Sequence, residues 1–375
     1  MTDTAHAHSL RQRLTDELRR SGNPHSTRWE NAFRNVPRER FVSRFTVPTP
    51  DGLIEYDVHG PNANQALAAV YSDSTLITRW DSAGTAISSS TTPSLMALML
   101  EQLDAAPGHT VLEVGTGTGY NAALLSTTLG DEAVTTIDVD PVVIENARAA
   151  LRETGYAPTV IRGDGAHGVP ARAPFDRILA TCGAHRIPAE WLRQLRPGGI
   201  LLVNLSFALV RLEVDEHGHA HGPFTDTAAF MTMRHDPNTT EPTARDVLAR
   251  TSGEPSTTRT AAPLPELAEP SVIFLRALLY PRLRQLTFDH DSGTEQRLYD
   301  TETGAWARAR RNGADSVTLE QHGSRDLWSE LTELVTEWHE CGRPEPHHHG
   351  LHVTPDGTHI LRVDTPTGAV TVREF

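Results

Sequence analysis

Lysine is absent from the 375-residue chain, so every one of its 34 Lys+Arg residues is an arginine. That absence excludes an ε-amino nucleophile, a Schiff-base mechanism and a phosphate loop ending in Gly-Lys-Ser/Thr. Cysteine is nearly absent as well. Cys182 and Cys341 are too few for a disulfide framework or a cysteine zinc site, which fits a reducing compartment and a cytoplasmic location. No apolar run approaches the roughly 18 residues of a spanning helix, and the first residues, Met1-Thr2-Asp3-Thr4-Ala5-His6-Ala7, are polar, so a soluble protein is expected. Positive charge is outweighed: 34 Lys+Arg against 48 Asp+Glu leave −14, with no basic stripe. Nucleic acid and anionic membrane are therefore not expected as partners, because a polyanion needs a compensating basic surface. The 19 His residues make this acidity pH-sensitive.

The length suggests two domains, each able to bury a core. Leu10, Leu14 and Leu18 recur at i, i+4, i+8, the mark of an amphipathic helix, which Gly22-Asn23-Pro24 ends. A second helix is predicted from Trp29 to about Val36-Pro37, and residues 47–86 read as loop with short strands. Leu95, Met96, Leu98, Met99, Leu100 and Leu103 are too dense for one exposed face, so that helix is buried. From His109 strands and helices alternate: strand 109–114, helix 121–129, strand 133–137, helix 142–153, strands 159–162 and 175–180, helix 188–195 and, after Pro197-Gly198-Gly199, strand 200–205. This alternation predicts a doubly wound α/β fold, a mostly parallel sheet with helices on both faces.

Residues 210–214 and 228–233 read as a closing antiparallel hairpin around a His/Gly-rich loop. Thr, Pro, Ser and Ala then dominate, and 236–270 reads as a linker or crossing segment. In 271–375 the expected elements are strands 271–280 and 316–321, a helix capped by Ser324 with Leu327, Leu331, Leu334 and Trp338 on one face, and a hairpin around Thr354-Pro355-Asp356-Gly357. The division is thus an N-terminal helical cap with loops (1–85), an α/β domain (86–235), the linker (236–270) and an α+β C-terminal accessory domain (271–375).

The first strand runs into Glu113-Val-Gly115-Thr116-Gly117-Thr-Gly119-Tyr120. Glycines at a strand-to-helix junction let the backbone approach a ligand, although a tight connection or a dinucleotide site, with Asp138 as its acidic residue, reads similarly. Two details favour S-adenosylmethionine. The spacing is Gly-x-Gly-x-Gly, preceded by a carboxylate that suits an amine-bearing ligand and repels a diphosphate. The third strand ends in Gly163-Asp164-Gly165, where a carboxylate can accept from the adenine amino group, while Asp138 ends the second strand, positioned for ribose hydroxyls.

Ala32-Phe-Arg-Asn-Val-Pro-Arg-Glu-Arg-Phe41, the glycine turn, Arg162-Gly-Asp-Gly165, Ala173-Pro-Phe-Asp-Arg-Ile178 and Leu195-Arg-Pro-Gly-Gly199 together resemble the protein-L-isoaspartate O-methyltransferases over about the first 235 residues. The resemblance implies a Rossmann-like class I methyltransferase fold, S-adenosyl-L-methionine as methyl donor and S-adenosyl-L-homocysteine as product. It assigns the cofactor to Glu113, Gly115, Thr116, Gly117, Gly119, Asp138, Val139, Gly163, Asp164, Gly165 and Thr181. Typical members carry Ile-Ser-x-Pro, whose Ser touches the reacting carboxylate; here the stretch is Ile87-Ser88-Ser89-Ser90-Thr91-Thr92-Pro93. Matching from Ile87 selects Ser88 and matching back from Pro93 selects Thr91, so Ser88, Ser89, Ser90 and Thr91 are all candidates, beside an N-capping role for some of them.

Beyond residue 235, Tyr299-Asp-Thr-Glu-Thr-Gly-Ala-Trp306, Gly342-Arg-Pro344 and Gly350 to Gly357 resemble the tails of methyltransferases that accompany ATP-grasp ligases in ribosomal peptide (graspetide) maturation, with relatives acting on lanthipeptides. That subgroup methylates an Asp side chain of a macrocyclised precursor, and the ester closes to an aspartimide. The implied partners are a ligase-cyclised precursor peptide and the ligase itself. A conventional L-isoaspartyl repair enzyme, or a non-catalytic peptide-binding partner of the ligase, are the alternatives. His347, His348, His349 and His352 invite a metal, but no suitably spaced Cys or carboxylate accompanies them, and none is expected. Cys182 reads as a packed or ligand-lining thiol, and Arg34, Arg38 and Arg40 either as charges that meet an acidic substrate or as exposed helix-end charges without a function.

Overall fold

In the computed structural model, Leu10, Leu14 and Leu18 are buried along α1 (Thr2–Ser21), as their spacing requires. All residues are described except 1, 50–51, 83, 238–241, 291–292, 313–314 and 366–367. Helix α2 (Thr27–Asn35) packs Trp29, Ala32 and Phe33 inward, and the short α3 (Arg38–Phe41) follows. Residues 47–86 are more regular than expected. Strands β1 (Arg44–Thr49), β2 (Gly52–Asp57), β3 (Leu76–Trp80) and β4 (Ala86–Ser90) make an antiparallel sheet in the order β2-β1-β3-β4. The intervening α4 (Ala63–Val70) buries Ala66, Leu67 and Val70, too short a stripe to stand out between Gly60-Pro61 and Ser72-Asp73. Then α5 (Pro93–Gln102) buries Met96, Ala97, Met99 and Leu100, as its dense apolar run predicts.

The alternation follows: β5 (Val111–Val114), α6 (Tyr120–Leu129), β6 (Val134–Asp138), α7 (Pro141–Thr154), β7 (Thr159–Arg162), β8 (Phe175–Ala184), α8 (Ala189–Arg193) and β9 (Leu195–Leu205). The order β7-β6-β5-β8-β9 is parallel throughout. The chain winds outward from β5 through β6 to β7, then restarts at β8 on the other side. A crevice therefore opens at the carboxyl ends of β5, β6 and β8, where such sheets bind ligands. Side chains alternate between the two cores: Val111 belongs to the one built with α1, α2 and α5, and Leu112 to the one containing Trp191 and Phe274.

Strand β10 (Ala208–Val214) pairs with β11 (Ala220–Thr227), not with the expected 228–233. The cause is Asp215, whose Oδ1 accepts from the His217 and His219 amides at 2.8 and 2.9 Å and closes the loop in a few residues. Residues 228–233 are released from the hairpin and run back along the crevice.

The segment read as a linker carries α9 (Ala244–Arg250) and β12 (Thr257–Ala261); residues 238–241 of it lie outside the described set. Residues 271–280 form a helix, α10 (Pro270–Leu279), rather than a strand. Ser271, Phe274, Leu275 and Leu278 are buried at helical spacing, with Pro270 at the first turn. Strands β13 (Leu283–His290), β14 (Gly293–Asp300), β15 (Trp306–Arg311) and β16 (Val317–His322) join β12 in a five-stranded sheet ordered β12-β16-β15-β14-β13. Helix α11 (Leu327–Glu340) buries Leu327, Leu331, Leu334 and Trp338 as expected, but its cap is Asp326, which accepts from the Ser329 amide, and not Ser324.

Strands β17 (His349–Val353) and β18 (His359–Thr365) turn about 354–357 as predicted, and β19 (Gly368–Glu374) pairs with β18. They extend the main sheet through β11·β17 pairing, making it ten-stranded. The C-terminal segment is thus split: one part builds its own sheet and the last three strands belong to the α/β layer. No helix among the described residues is long and apolar enough to cross a membrane.

Candidate active site

A cavity of about 310 Å³ occupies the crevice. It is lined by Ser88, Ser89, Ser90 and Thr91 from one side, by Glu113, Gly115, Thr116 and Gly117 at the end of β5, by Asp138 and Val139 after β6, and by Gly165 and Thr181. Gly119, Gly163 and Asp164 are not in its wall. A Cβ at Gly119 would stand 3.2 Å from that of Ala147, so this glycine lets α6 and α7 approach. The Gly163 amide donates to the Asp138 carbonyl oxygen. Asp164 stands at the edge: its Oδ1 accepts from the Ala166 amide at 2.9 Å and its Oδ2 lies 3.1 Å from His235 Nδ1.

The glycine turn works through left-handed backbone, with φ of +100° at Gly115, +50° at Gly117 and +83° at Gly119. Thr181 Oγ1 donates to the Gly115 carbonyl oxygen at 2.6 Å, and a Cβ on Gly115 would fall 2.8 Å from that same Oγ1. Gly115→Ala adds this clash to a backbone cost of about 1–2 kcal/mol. It is expected to weaken S-adenosylhomocysteine binding at least tenfold by calorimetry; unchanged affinity would show that the turn does not hold the cofactor.

Glu113 is fully buried, and burial pushes its carboxyl up to about 7 against the pull of Thr136 and Asn121. Its Oε1 accepts from Asn121 Nδ2 at 2.7 Å, whereas its Oε2 and Asn121 Oδ1 are buried without a hydrogen-bond partner. Two orphaned acceptors at a cavity wall call for a donor-rich ligand group. Asp138 accepts from the Gly117 and Asp140 amides at 3.1 Å each, and burial raises its pKa too. Asp140 caps α7 and is gripped by Arg79 Nη1 at 2.6 Å and Arg234 Nη2 at 3.4 Å. That carboxylate ties β3 and the 228–234 segment to the sheet. Neither arginine is marked in the sequence by a motif.

Strand β4 presents the hydroxyl strip. Ser88 and Ser90 are buried, and the Ser89 carbonyl oxygen lies 3.6 Å from where a Cβ on Gly117 would be. Ser88 Oγ accepts from Thr78 Oγ1 at 3.0 Å, and Ser90 Oγ accepts from Arg38 Nε and Nη2 at 3.3 and 3.2 Å. Both keep their own hydroxyl proton for another acceptor. Arg38 is therefore no exposed helix-end charge. It is completely buried, and it also donates to the carbonyl oxygens of Val70, Ser72, Ser74 and Thr91. Arg34 is half-buried and pairs with Asp16 and Glu30, while Arg40 is exposed.

The opposite lip is the released segment. Met231 O accepts from the Gly183 amide at 2.8 Å and the Met233 amide donates to Gly183 O at 2.7 Å, so Phe230, Met231 and Met233 form an apolar side of the cavity. Cys182 also lines it. Burial pushes its thiol to about 12, which leaves no thiolate for a nucleophile. Among the described residues no three His, Cys, Asp or Glu converge as metal ligands, and His349 instead lies buried with its Nδ1 2.9 Å from the Glu345 carbonyl oxygen.

S-adenosylmethionine fits this donor set. The unpartnered Glu113 Oε2 and Asn121 Oδ1 would receive its amine, Asp138 its ribose hydroxyls, and the open backbone of Gly115 and Gly117 admits it closely. A family model described as protein-L-isoaspartate(D-aspartate) O-methyltransferase matches residues 9–218. The Methanopyrus kandleri protein-L-isoaspartate O-methyltransferase is 38% identical over 197 residues, 52% of this chain and 75% of that protein. The Staphylothermus marinus protein of the same name is 36% identical over 201 residues, 52% of this chain and 78% of its own. A solved structure titled protein-L-isoaspartate O-methyltransferase covers 94% of this chain and 98% of its own, at 24% identity and a TM-score of 0.56, a likeness of fold that includes the added C-terminal elements. Three acidic or glycine-bearing strand ends, orphaned acceptors suited to an amine, and a match over more than half of the chain converge: the chain belongs to the protein-L-isoaspartate O-methyltransferase family and is an S-adenosylmethionine-dependent protein carboxyl O-methyltransferase.

Proposed function

We propose that the enzyme methylates an Asp side-chain carboxylate in a ribosomally made peptide already cyclised by an ATP-grasp ligase. The observation that supports this reading is the C-terminal segment beside the methyl-transfer cavity. Residues 276–285 wall a second cavity that shares Ala229, Phe230 and Thr232 with the first, so the acceptor site is built to meet more peptide than one residue. That segment lies in the same C-terminal region as the motifs at 299–306, 342–344 and 350–357 that resemble the peptide-maturation methyltransferases.

The bound cofactor supplies a methyl group on a cationic sulfonium. The chain has three tasks. A carboxylate is already an anion at neutral pH, so no general base is needed, and among the described residues the lining offers no imidazole or amine. Hydroxyls from Ser88 to Thr91 are placed to donate to one carboxylate oxygen and aim the other, while Phe230, Met231, Leu95 and Met96 keep water from the anion. The ester product then closes on itself: the next backbone nitrogen attacks the ester carbonyl, the N–H proton leaves with methoxide as methanol, and an aspartimide remains.

The whole-length likeness to a solved protein-L-isoaspartate O-methyltransferase favours a second reading, L-isoaspartyl repair. The two separate in one assay. Purified enzyme and S-adenosylmethionine are offered an isoaspartyl peptide, a linear precursor and its ligase-cyclised form, and products are weighed by mass spectrometry. Methyl gain followed by methanol loss on the cyclised form alone is the expected result; methylation of the isoaspartyl peptide alone returns the enzyme to repair.

A further inference from the structure

The second cavity, about 310 Å³, lies between the carboxyl end of the main sheet and the start of the C-terminal sheet. Its composition is unusual in a chain of net charge −14: among the described residues its lining includes Arg276, Arg284 and His185 and no Asp or Glu. Arg276, on α10, donates through Nη1 to the Leu283 carbonyl oxygen at 3.3 Å, and among the described residues no carboxylate is paired with it. Its Nε is buried with no hydrogen-bond partner. Burial, with Arg284 close by, depresses this guanidinium to about 10, so it is still charged at neutral pH. On β13, Gln285 Oε1 is likewise buried without a partner. An orphaned cationic donor and an orphaned neutral acceptor on two residues that line one cavity are complementary to a carboxylate beside a peptide N–H.

The rim adds an apolar contact. The β9–β10 turn is made by Ser206 and Phe207 with φ of +57° and +73°, a left-handed pair that side chains other than Gly, Asn and Asp rarely adopt. It holds Phe207, 48% exposed, at the cavity mouth. Phe230 stands in the wall between the two cavities, so a chain crossing it passes from the methyl-transfer site to the arginines.

We propose that this second cavity is a specificity subsite for another carboxylate of the peptide being methylated, bound by Arg276 and Arg284, with Gln285 receiving an adjacent backbone N–H. The subsite rests on the peptide-substrate reading above and narrows it to acidic peptides. The carboxylate comes from an acidic side chain or from the peptide's C terminus.

The test uses the full-length enzyme and the acceptor peptide that is methylated in the three-way comparison. The peptide is made with Glu or with Gln at each position flanking the acceptor, and with a free or amidated C terminus. The expected result is a KM about tenfold lower for a Glu peptide in one register than for its Gln counterpart, at similar kcat. Arg276→Met and Arg284→Gln are each expected to erase that difference while leaving S-adenosylhomocysteine affinity unchanged. Should the buried Arg276 variant misfold, the Arg284 variant still decides. If amidation rather than Gln removes the advantage, the carboxylate is the C terminus. Equal KM for every Glu/Gln and free/amidated pair overturns the subsite and leaves the peptide reading standing. An enzyme that methylates none of the parent peptides overturns both.

Discussion

Replacing Arg38 by Met is expected to destabilise the protein by about 3–5 kcal/mol and to remove methyl transfer, the first seen in the urea midpoint and the second in methyl incorporation. The magnitude comes from what the guanidinium leaves behind. It donates to Val70 O at 2.8 Å, Thr91 O at 3.1 Å, Ser72 O and Ser74 O at 3.3 Å each, and to Ser90 Oγ. Val70 O and Ser90 Oγ, on buried residues, are left without that donor when a thioether takes the space, and each buried orphan costs roughly 1 kcal/mol or more, while the carbonyls of half-buried Ser72 and Thr91 and of exposed Ser74 lose a charged partner. Burial lowers the Arg38 pKa to about 10, and the side chain still carries its charge at neutral pH. Lys is expected to rescue only part of the loss, because an ammonium offers three donors from one point where the planar fork reaches six atoms, the Ser90 carbonyl oxygen included. Thr91 and Ser90 belong to the hydroxyl strip, so the same substitution loosens the wall proposed to face the acceptor carboxylate. A loss of stability below about 1 kcal/mol would show that water or a repacked side chain satisfies these carbonyls.

Glu113→Gln is expected to act in opposite directions on stability and on binding. The carboxyl titrates at about 7 when folded against 4.5 in its ordinary state, because burial disfavours its charge. With the folded pKa raised, its contribution to stability is fully present below 4.5 and is lost as pH rises through 7. At pH 8 the loss is on the order of 3 kcal/mol. The amide cannot ionise, so the variant is expected to melt higher than the wild type at pH 8 and not at pH 4. Binding goes the other way. An amine-bearing ligand prefers the ionised carboxylate, so wild-type affinity for S-adenosylhomocysteine is expected to fall about tenfold per unit below pH 7. The variant is expected to bind about 10–100-fold more weakly at pH 8 and to lose most of the pH dependence. Calorimetry at pH 6, 7 and 8 checks both; a variant with wild-type affinity and slope would remove Glu113 from the cofactor site.

What could be read from the sequence was what is local. The glycine turn, the carboxylates at two strand ends and the Leu10-Leu14-Leu18 stripe each declare themselves within a few residues. The unread features depend on distant partners. Arg38 sits in a four-residue helix and looks like a surface charge until residues 70–74 and 90–91 close over it. The lip at 228–233 has the composition of a strand, and it lines the cavity only because the Asp215 turn is tight enough to give β11 an earlier start. Helix α10 is an apolar run whose period is masked by Ile273, Ala277 and Leu279 between its buried positions, so its sequence reads as a strand. The tail motifs proved structural in their contacts. Asp300 accepts from the Glu302 and Thr303 amides to shape the 300–304 turn, and Trp338 Nε1 donates to Pro344 O. None of them touches either cavity, and the residues that do, Arg276 and Gln285, carry no motif.

The most direct test of the central claim is the chemistry of the transferred methyl group. Enzyme, acceptor peptide and S-adenosylmethionine labelled on the methyl carbon are incubated, and the labelled peptide is exposed to mild alkali. Release of the label as methanol, with the peptide returning to its original mass or to the aspartimide, is the result expected of a carboxyl ester. Label that stays on the peptide would place the methyl on nitrogen or sulfur and contradict carboxyl methylation.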